Sequence, residues 1–249
     1  MGFRIIVSPA KKMNVVEGPP FPSSEPILIE RTRVLMQAVQ RLSYDQAKAL
    51  WKCSDKLATL NYERFRSMDL TRDLTAASLA YEGIQYQHMA PQVMDEQSLA
   101  YLEGHLRILS GFYGILRPSD GVVPYRLEMQ ARLDVDGARD LYGYWGATIA
   151  EALRAETDTV INVASVEYAK AITPYAPDLG MRVVTCLFCQ RDKGRLVQRS
   201  TEAKATRGTF VRWCAETGIT HVEDVALFGE RGYSLDQSES RNDHLVFVR

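Results

Sequence analysis

The chain has 249 residues, 46% of them hydrophobic and 24% charged, with a formal net charge of −1. That length carries one or two domains, and that composition excludes disorder, because there is ample apolar surface to bury. Near-neutral charge excludes a coat protein that is basic all over, yet it leaves room for a local basic recess. From Arg191 to Arg212, for example, seven Lys or Arg stand against two acidic residues.

Taken in chain order, the first apolar run is short and covers Phe3 to Val7 before Ser8-Pro9 interrupts it. This predicts a buried strand, since a signal peptide needs a longer apolar region. No stretch approaches 18 apolar residues, so no membrane-spanning helix is expected and the location is predicted to be cytoplasmic. Gly18 to Pro26 is Pro-rich and predicts an extended loop. Helical periodicity follows over Glu30 to Leu42, with Val34, Leu35, Ala38 and Val39 on one face. Ser43 is placed to cap a second helix over Tyr44 to Cys53. Ser54-Asp55-Lys56 forms a polar hinge, and a third helix runs through Leu57, Leu60 and Phe65.

Strands are predicted at Ser78–Tyr81 and Leu106–Leu109, a helix over Tyr142–Ala155, and a strand over Thr159–Val163. Arg182–Gln190 and Arg195–Gln198 predict a hairpin around Asp192-Lys193-Gly194. Glu202–Thr217 predicts a helix, and strands are expected near Ala226–Leu227, Tyr233–Leu235 and Leu245–Val248. Strands and helices alternate with no linker. The expected fold is α/β (mixed α+β), one compact domain over residues 1–249 with a mixed sheet surrounded by helices.

The cysteines are Cys53, Cys186, Cys189 and Cys214, too few for a disulfide framework. Cys186 and Cys189 have redox spacing but sit in an apparent strand, without the helix N-terminus that lowers a thiol pKa. His88, His105, His221 and His244 show no metal-binding spacing, and neither a metal nor a cofactor is expected. There is no GxSxG elbow and no GxxxxGK[ST] loop, so no established catalytic motif is present.

Four blocks could meet an anion. Ser8, Lys11 and Lys12 directly follow the first strand, where α/β proteins often bind ligands; exposed lysines at a strand end are the simpler account. Gly111 to Met129 is dense in glycine, aromatic and charged residues. In it Arg117 and Arg126 could fork onto phosphate oxygens and Glu128 could be a partner or a separate catalytic carboxylate; a tight loop held by its own ion pairs would look the same. Ser165 could cap a helix carrying Tyr168 and Lys170, and capping alone would explain it. Lys204, Arg207 and Gly208 share a helix face at i, i+3 and i+4; a solvated charged face is the simpler account. Gly208 marks close approach of a ligand or another backbone.

Together these segments resemble the YaaA family of peroxide-stress proteins: SPAK at Ser8–Lys11, SDKLA at Ser54–Ala58, HLRILSGFYGILRP at His105–Pro118, PYRLEM at Pro124–Met129, DLYGYWG at Asp140–Gly146, INVASVEY at Ile161–Tyr168 and the KxxRG segment at Lys204–Gly208. The resemblance implies a helix-hairpin-helix-like element, here about residues 43–66, beside a positively charged cleft. It also implies binding of duplex and distorted DNA without sequence specificity, and protection of DNA from oxidative damage. The expected anion-binding residues are Ser8, Lys11, Lys12, Lys56, Arg117, Tyr125, Arg126, Ser165, Lys204 and Arg207. The partner is DNA or another phosphate-bearing ligand, and the chain is expected to be a monomer. The alternative is an enzyme acting on a small anionic or nucleotide-like substrate in the same cleft, with Glu128, Tyr168 or Glu82 moving protons. Two departures from the family pattern reduce positive charge: Glu82 stands where a Lys is typical, and Ala205-Thr206 where Lys-Ala is usual.

Overall fold

The computed structural model describes residues 2–16 and 22–249. Part of the Pro-rich loop expected at Gly18–Pro26 therefore lies outside the described residues. The strands are β1 (Arg4–Val7), β2 (Lys12–Met13), β3 (Thr75–Ala76), β4 (Tyr81–Glu82), β5 (Leu106–Ser110), β6 (Gly114–Leu116), β7 (Gly121–Val122), β8 (Thr159–Asn162), β9 (Arg182–Asp192), β10 (Arg195–Val197), β11 (Ser234–Leu235) and β12 (His244–Val248). The helices are α1 (Ile29–Gln40), α2 (Tyr44–Trp51), α3 (Asp55–Arg66), α4 (Ala77–Ala80), α5 (Ile84–Met89), α6 (Glu96–His105), α7 (Leu141–Trp145), α8 (Thr148–Arg154), α9 (Val166–Ala169) and α10 (Ser200–Thr217).

The main sheet has eight strands in the order β11-β12-β9-β8-β1-β5-β6, with β10 paired to β9. Its centre, β12-β9-β8-β1-β5, is parallel, and antiparallel strands close both edges. Ile5, Ile6, Val7, Ile108, Leu109, Val160 and Ile161 are fully buried, as central parallel strands covered on both faces require. Among the described residues no helix is long and apolar enough to cross a membrane.

Strand order places the site. From β1 the chain goes to β5 on one side, whereas from β8 it goes to β9 on the other. The adjacent strands β1 and β8 thus form a topological switch point, and the crevice beyond their carboxyl ends is where open α/β sheets bind ligands. Ser8 and Ser165 lie there.

Local predictions are met where the signal is local. Ser43 forms a full capping box: its hydroxyl accepts from the Gln46 N–H at 3.3 Å, and the Gln46 side chain accepts from the Ser43 N–H at 2.9 Å. The β9–β10 hairpin pairs Asp192 with Arg195.

Other expectations fail. Ser78–Tyr81 is not a strand: α4 occupies Ala77–Ala80 between two-residue strands. The helix expected over Tyr142–Ala155 is two helices, broken at Gly146, whose φ of +49° ends α7. Ala226–Leu227 belongs to a 3₁₀ helix, Val222–Leu227. The helices α5 and α6 carry no strong amphipathic pattern and were not foreseen.

Candidate functional site

A cavity of about 530 Å³ opens at the carboxyl ends of β1 and β8. It gathers Ser8, Lys11, Lys12, Glu82, Tyr125, Arg126, Glu128, Ser165, Tyr168, Lys204 and Arg207. These come from five distant segments, and each was singled out in the sequence. Two expected residues are not there. Arg117 approaches Glu156 at 3.9 Å. Glu156 also holds Arg4, at the start of β1, and Arg107, so Arg117 lies at the amino ends of the parallel strands, opposite the cavity. Lys56 is exposed in the first turn of α3 and lines neither this cavity nor its neighbour.

Ser8 is a structural centre for the site. Its hydroxyl accepts from the Ser165 N–H at 2.8 Å and donates to the Ser165 hydroxyl at 3.1 Å. Its carbonyl accepts from Gln85 Nε2 and the Tyr86 hydroxyl, both at 3.0 Å. The serine pair therefore clips β1 to β8, and α5 is tied to the same point. Ser165 precedes α9 but its side chain makes no capping bond. This corrects the helix-cap expectation, because the hydroxyl is engaged with Ser8 and α9 is only one turn long.

Glycines set the close approaches. A Cβ at Gly208 would fall 2.0 Å from the Gln85 carbonyl oxygen, so α10 crosses α5 backbone to backbone. That crossing, rather than a ligand, explains the glycine in the KxxRG segment, and it delivers Lys204 and Arg207 to the cavity. Gly111 does the same for the other wall: its Cβ would lie 2.6 Å from the Leu127 carbonyl oxygen. The glycine-aromatic block is thus the bed on which Arg126 and Glu128 rest. Tyr125, between them and the core, is anchored by hydroxyl contacts to Ser110 at 2.6 Å and Tyr81 at 2.9 Å.

The charges divide into paired and unpaired. Glu128 receives Lys11 at 2.7 Å and Arg126 at 3.5 Å. Lys12 meets Glu82 at 2.7 Å, and that hydrogen bond holds the Glu82 carboxyl below its ordinary value. A carboxylate so held is a poor general acid. Tyr168 is buried, which pushes its phenol well above 10 and keeps it protonated. Glu167, which the sequence reading passed over, also lines the cavity. Burial raises its carboxyl, and the nearby Glu128 charge adds to the rise.

Arg207 is different. It is half-buried, burial works against its charge, and among the described residues it has neither an ion pair nor a hydrogen bond; its Nε is buried without a partner. Arg126 Nε is likewise buried and unsatisfied. An unmet buried donor costs about 1–3 kcal/mol, more for a charged group; Arg31 Nε and Arg231 Nε, outside this cavity, are also buried without a partner.

A second cavity of about 610 Å³ shares Lys11, Arg126 and Glu128 with the first. Lys52, Trp51 and Gln46 of the α2 region border it, as does Arg132. The two cavities adjoin across the Lys11–Glu128–Arg126 group. The helical pair stands beside the second one, through Lys52 of the α2–α3 turn, which has a left-handed φ of 46°. Lys52, and not Lys56, lines this cavity. Sequence reasoning also missed Gly83, Gln85 and Tyr86; the glycine beside tyrosines in Tyr81–Tyr86 was the available signal.

Comparison with known proteins gives the remaining context. The family model described as peroxide stress protein YaaA matches residues 3–239. A UPF0246 protein of Lachnoclostridium phytofermentans is 46% identical over 247 residues, covering 99% of this chain and 96% of the relative. One from Lactiplantibacillus plantarum is 47% identical, covering 98% of each chain. One from Desulfitobacterium hafniense is 44% identical over 99% of this chain and 98% of its own length.

Proposed function

The chain belongs to the family of the peroxide stress protein YaaA, and from that premise we propose that it binds duplex and distorted DNA through phosphate contacts in the paired cavities, without sequence preference, and so shields DNA from oxidative damage. The observation that carries this reading is Arg207, a half-buried guanidinium with no ion pair among the described residues and a buried Nε–H without a partner, in a cavity that also holds Lys204 and Arg126. A partly desolvated cation is stabilised by an anion that completes it. Lys52 and Arg132 line the adjoining cavity, beside Glu128 and Asp134, and in this reading they receive a further phosphate.

Such contacts position a backbone and carry no sequence information. The binding is therefore expected to fall steeply with salt as condensed counterions are released, with a slope near −0.9 per phosphate neutralised. Titration of a labelled duplex and a four-way junction at low and moderate salt tests it. Absence of binding to either at low salt removes the proposal.

A further inference from the structure

The cavity around Arg207 is too small to admit a duplex. A volume of about 530 Å³ lies within the range of small-molecule sites. Resting on the reading of this cleft as a phosphate site, we infer that the cavity is a subsite for a single nucleotide unit, phosphate and base together, either free or turned out of a strand.

Two features of the walls match the two halves of such a ligand. Arg126, Lys204 and Arg207 supply donors, two of them with buried Nε–H groups that nothing in the protein accepts. Guanidinium forks suit the planar pairing of phosphate oxygens. Pro9, Ala10, Ile84 and Leu127 also line the cavity, with Tyr86 and Tyr125. Those two hydroxyls are spent internally, on the Ser8 carbonyl and on Ser110 and Tyr81. What little of the two rings is exposed, 4% of Tyr86 and 5% of Tyr125, adds to an apolar lining suited to a base. A bare inorganic anion would use only the first half of this lining. Glu167, with its raised carboxyl, and Glu128 add acceptors for the exocyclic amino or ring N–H groups of a base.

The experiment has two arms, each with wild type and Arg207→Gln. In the first, calorimetry compares 2′-deoxyadenosine 5′-monophosphate with inorganic phosphate and with 2′-deoxyadenosine. In the second, a duplex carrying one 2-aminopurine opposite thymine is followed by fluorescence and by permanganate reactivity of that thymine. Should Arg207→Gln fail to fold, Lys204→Gln, at an exposed position, replaces it with a several-fold loss expected. Mononucleotide binding at least tenfold tighter than either fragment, lost in the variant, establishes the site for free nucleotide. Unstacking of 2-aminopurine that the variant abolishes establishes it for an extruded one. If wild type shows neither, the inference is overturned. Anisotropy on the same duplex scores DNA binding separately: duplex bound with neither signal overturns the nucleotide subsite alone, and nucleotide bound without duplex overturns the DNA reading alone.

Discussion

Gly208 of α10 lies directly on the Gln85 carbonyl of α5, where even one methyl group would come within 2.0 Å of the oxygen. The same Gln85 donates its side-chain amide to the Ser8 carbonyl, and the residue before Gly208 is Arg207. One backbone crossing thus fixes the positions of the strand end and of the unpaired guanidinium together. In an exposed helix Gly→Ala gains about 1 kcal/mol. Here the overlap is with backbone, which cannot move aside, and Gly208→Ala is expected to cost about 2–3 kcal/mol net. Denaturant unfolding checks the sign.

Glu82 faces Lys12 across β2 and β4 and neutralises it. Glu82→Lys removes one negative charge, adds one positive charge and releases Lys12. DNA affinity at low salt is expected to rise on the order of tenfold, with a steeper salt slope. Unchanged affinity would show that this rim does not face phosphate.

Glu167 gives the cleft a pH dependence. Its folded-state carboxyl is raised, by burial first and by Glu128 next. Protonation removes a negative charge from the cavity, so anion binding is expected to tighten as pH falls through that raised value, with proton uptake on binding. The sign for stability is the same: the folded state holds the proton more tightly than the unfolded one, so this group's contribution declines as pH rises from the ordinary carboxylate value to the raised one. Glu167→Gln should flatten the binding profile measured across mildly acidic pH.

At the opposite end of the strands, Glu156 meets Arg4, Arg107 and Arg117. Burial alone would raise its carboxyl, but hydrogen bonds and charge from Arg107, then Arg4, outweigh burial and lower it. Its stabilising contribution is full above the unfolded-state value and is lost as pH falls through the lowered one. Glu156→Gln leaves the buried Arg107 guanidinium without a charge partner and is expected to cost about 3–5 kcal/mol, while DNA affinity at a temperature where the variant is folded stays the same.

The residues that line the cavity were more legible than the short elements around them. Chemistry-bearing residues at strand ends, such as Ser8 and Arg126, announce themselves by type and by the turn residues beside them. Arg117 misled because residues close in the sequence can leave a strand pair at opposite ends: β6 runs antiparallel to β5 and carries Arg117 to the far edge. Lys56 misled by a few residues for a similar reason, since the turn is made by Lys52–Ser54 and only Lys52 turns toward the cavity. The short helices α4 and α5 were illegible because one or two turns leave no periodicity to read, and long-range contacts rather than propensity hold them. Glu167 and Gln85 acquire meaning only once β1 and β8 are adjacent, which the strand order decides.

The most direct test is Arg207→Met, measured for thermal stability and for duplex affinity at low salt. If the guanidinium awaits an external phosphate, removing it relieves a half-buried charge whose buried Nε–H has no partner: the melting temperature should hold or rise by a few degrees, about 2–4 °C for each 1 kcal/mol gained, while duplex affinity falls at least tenfold. A variant that melts well below wild type yet binds duplex as tightly would show that Arg207 serves the fold alone, and would contradict the account.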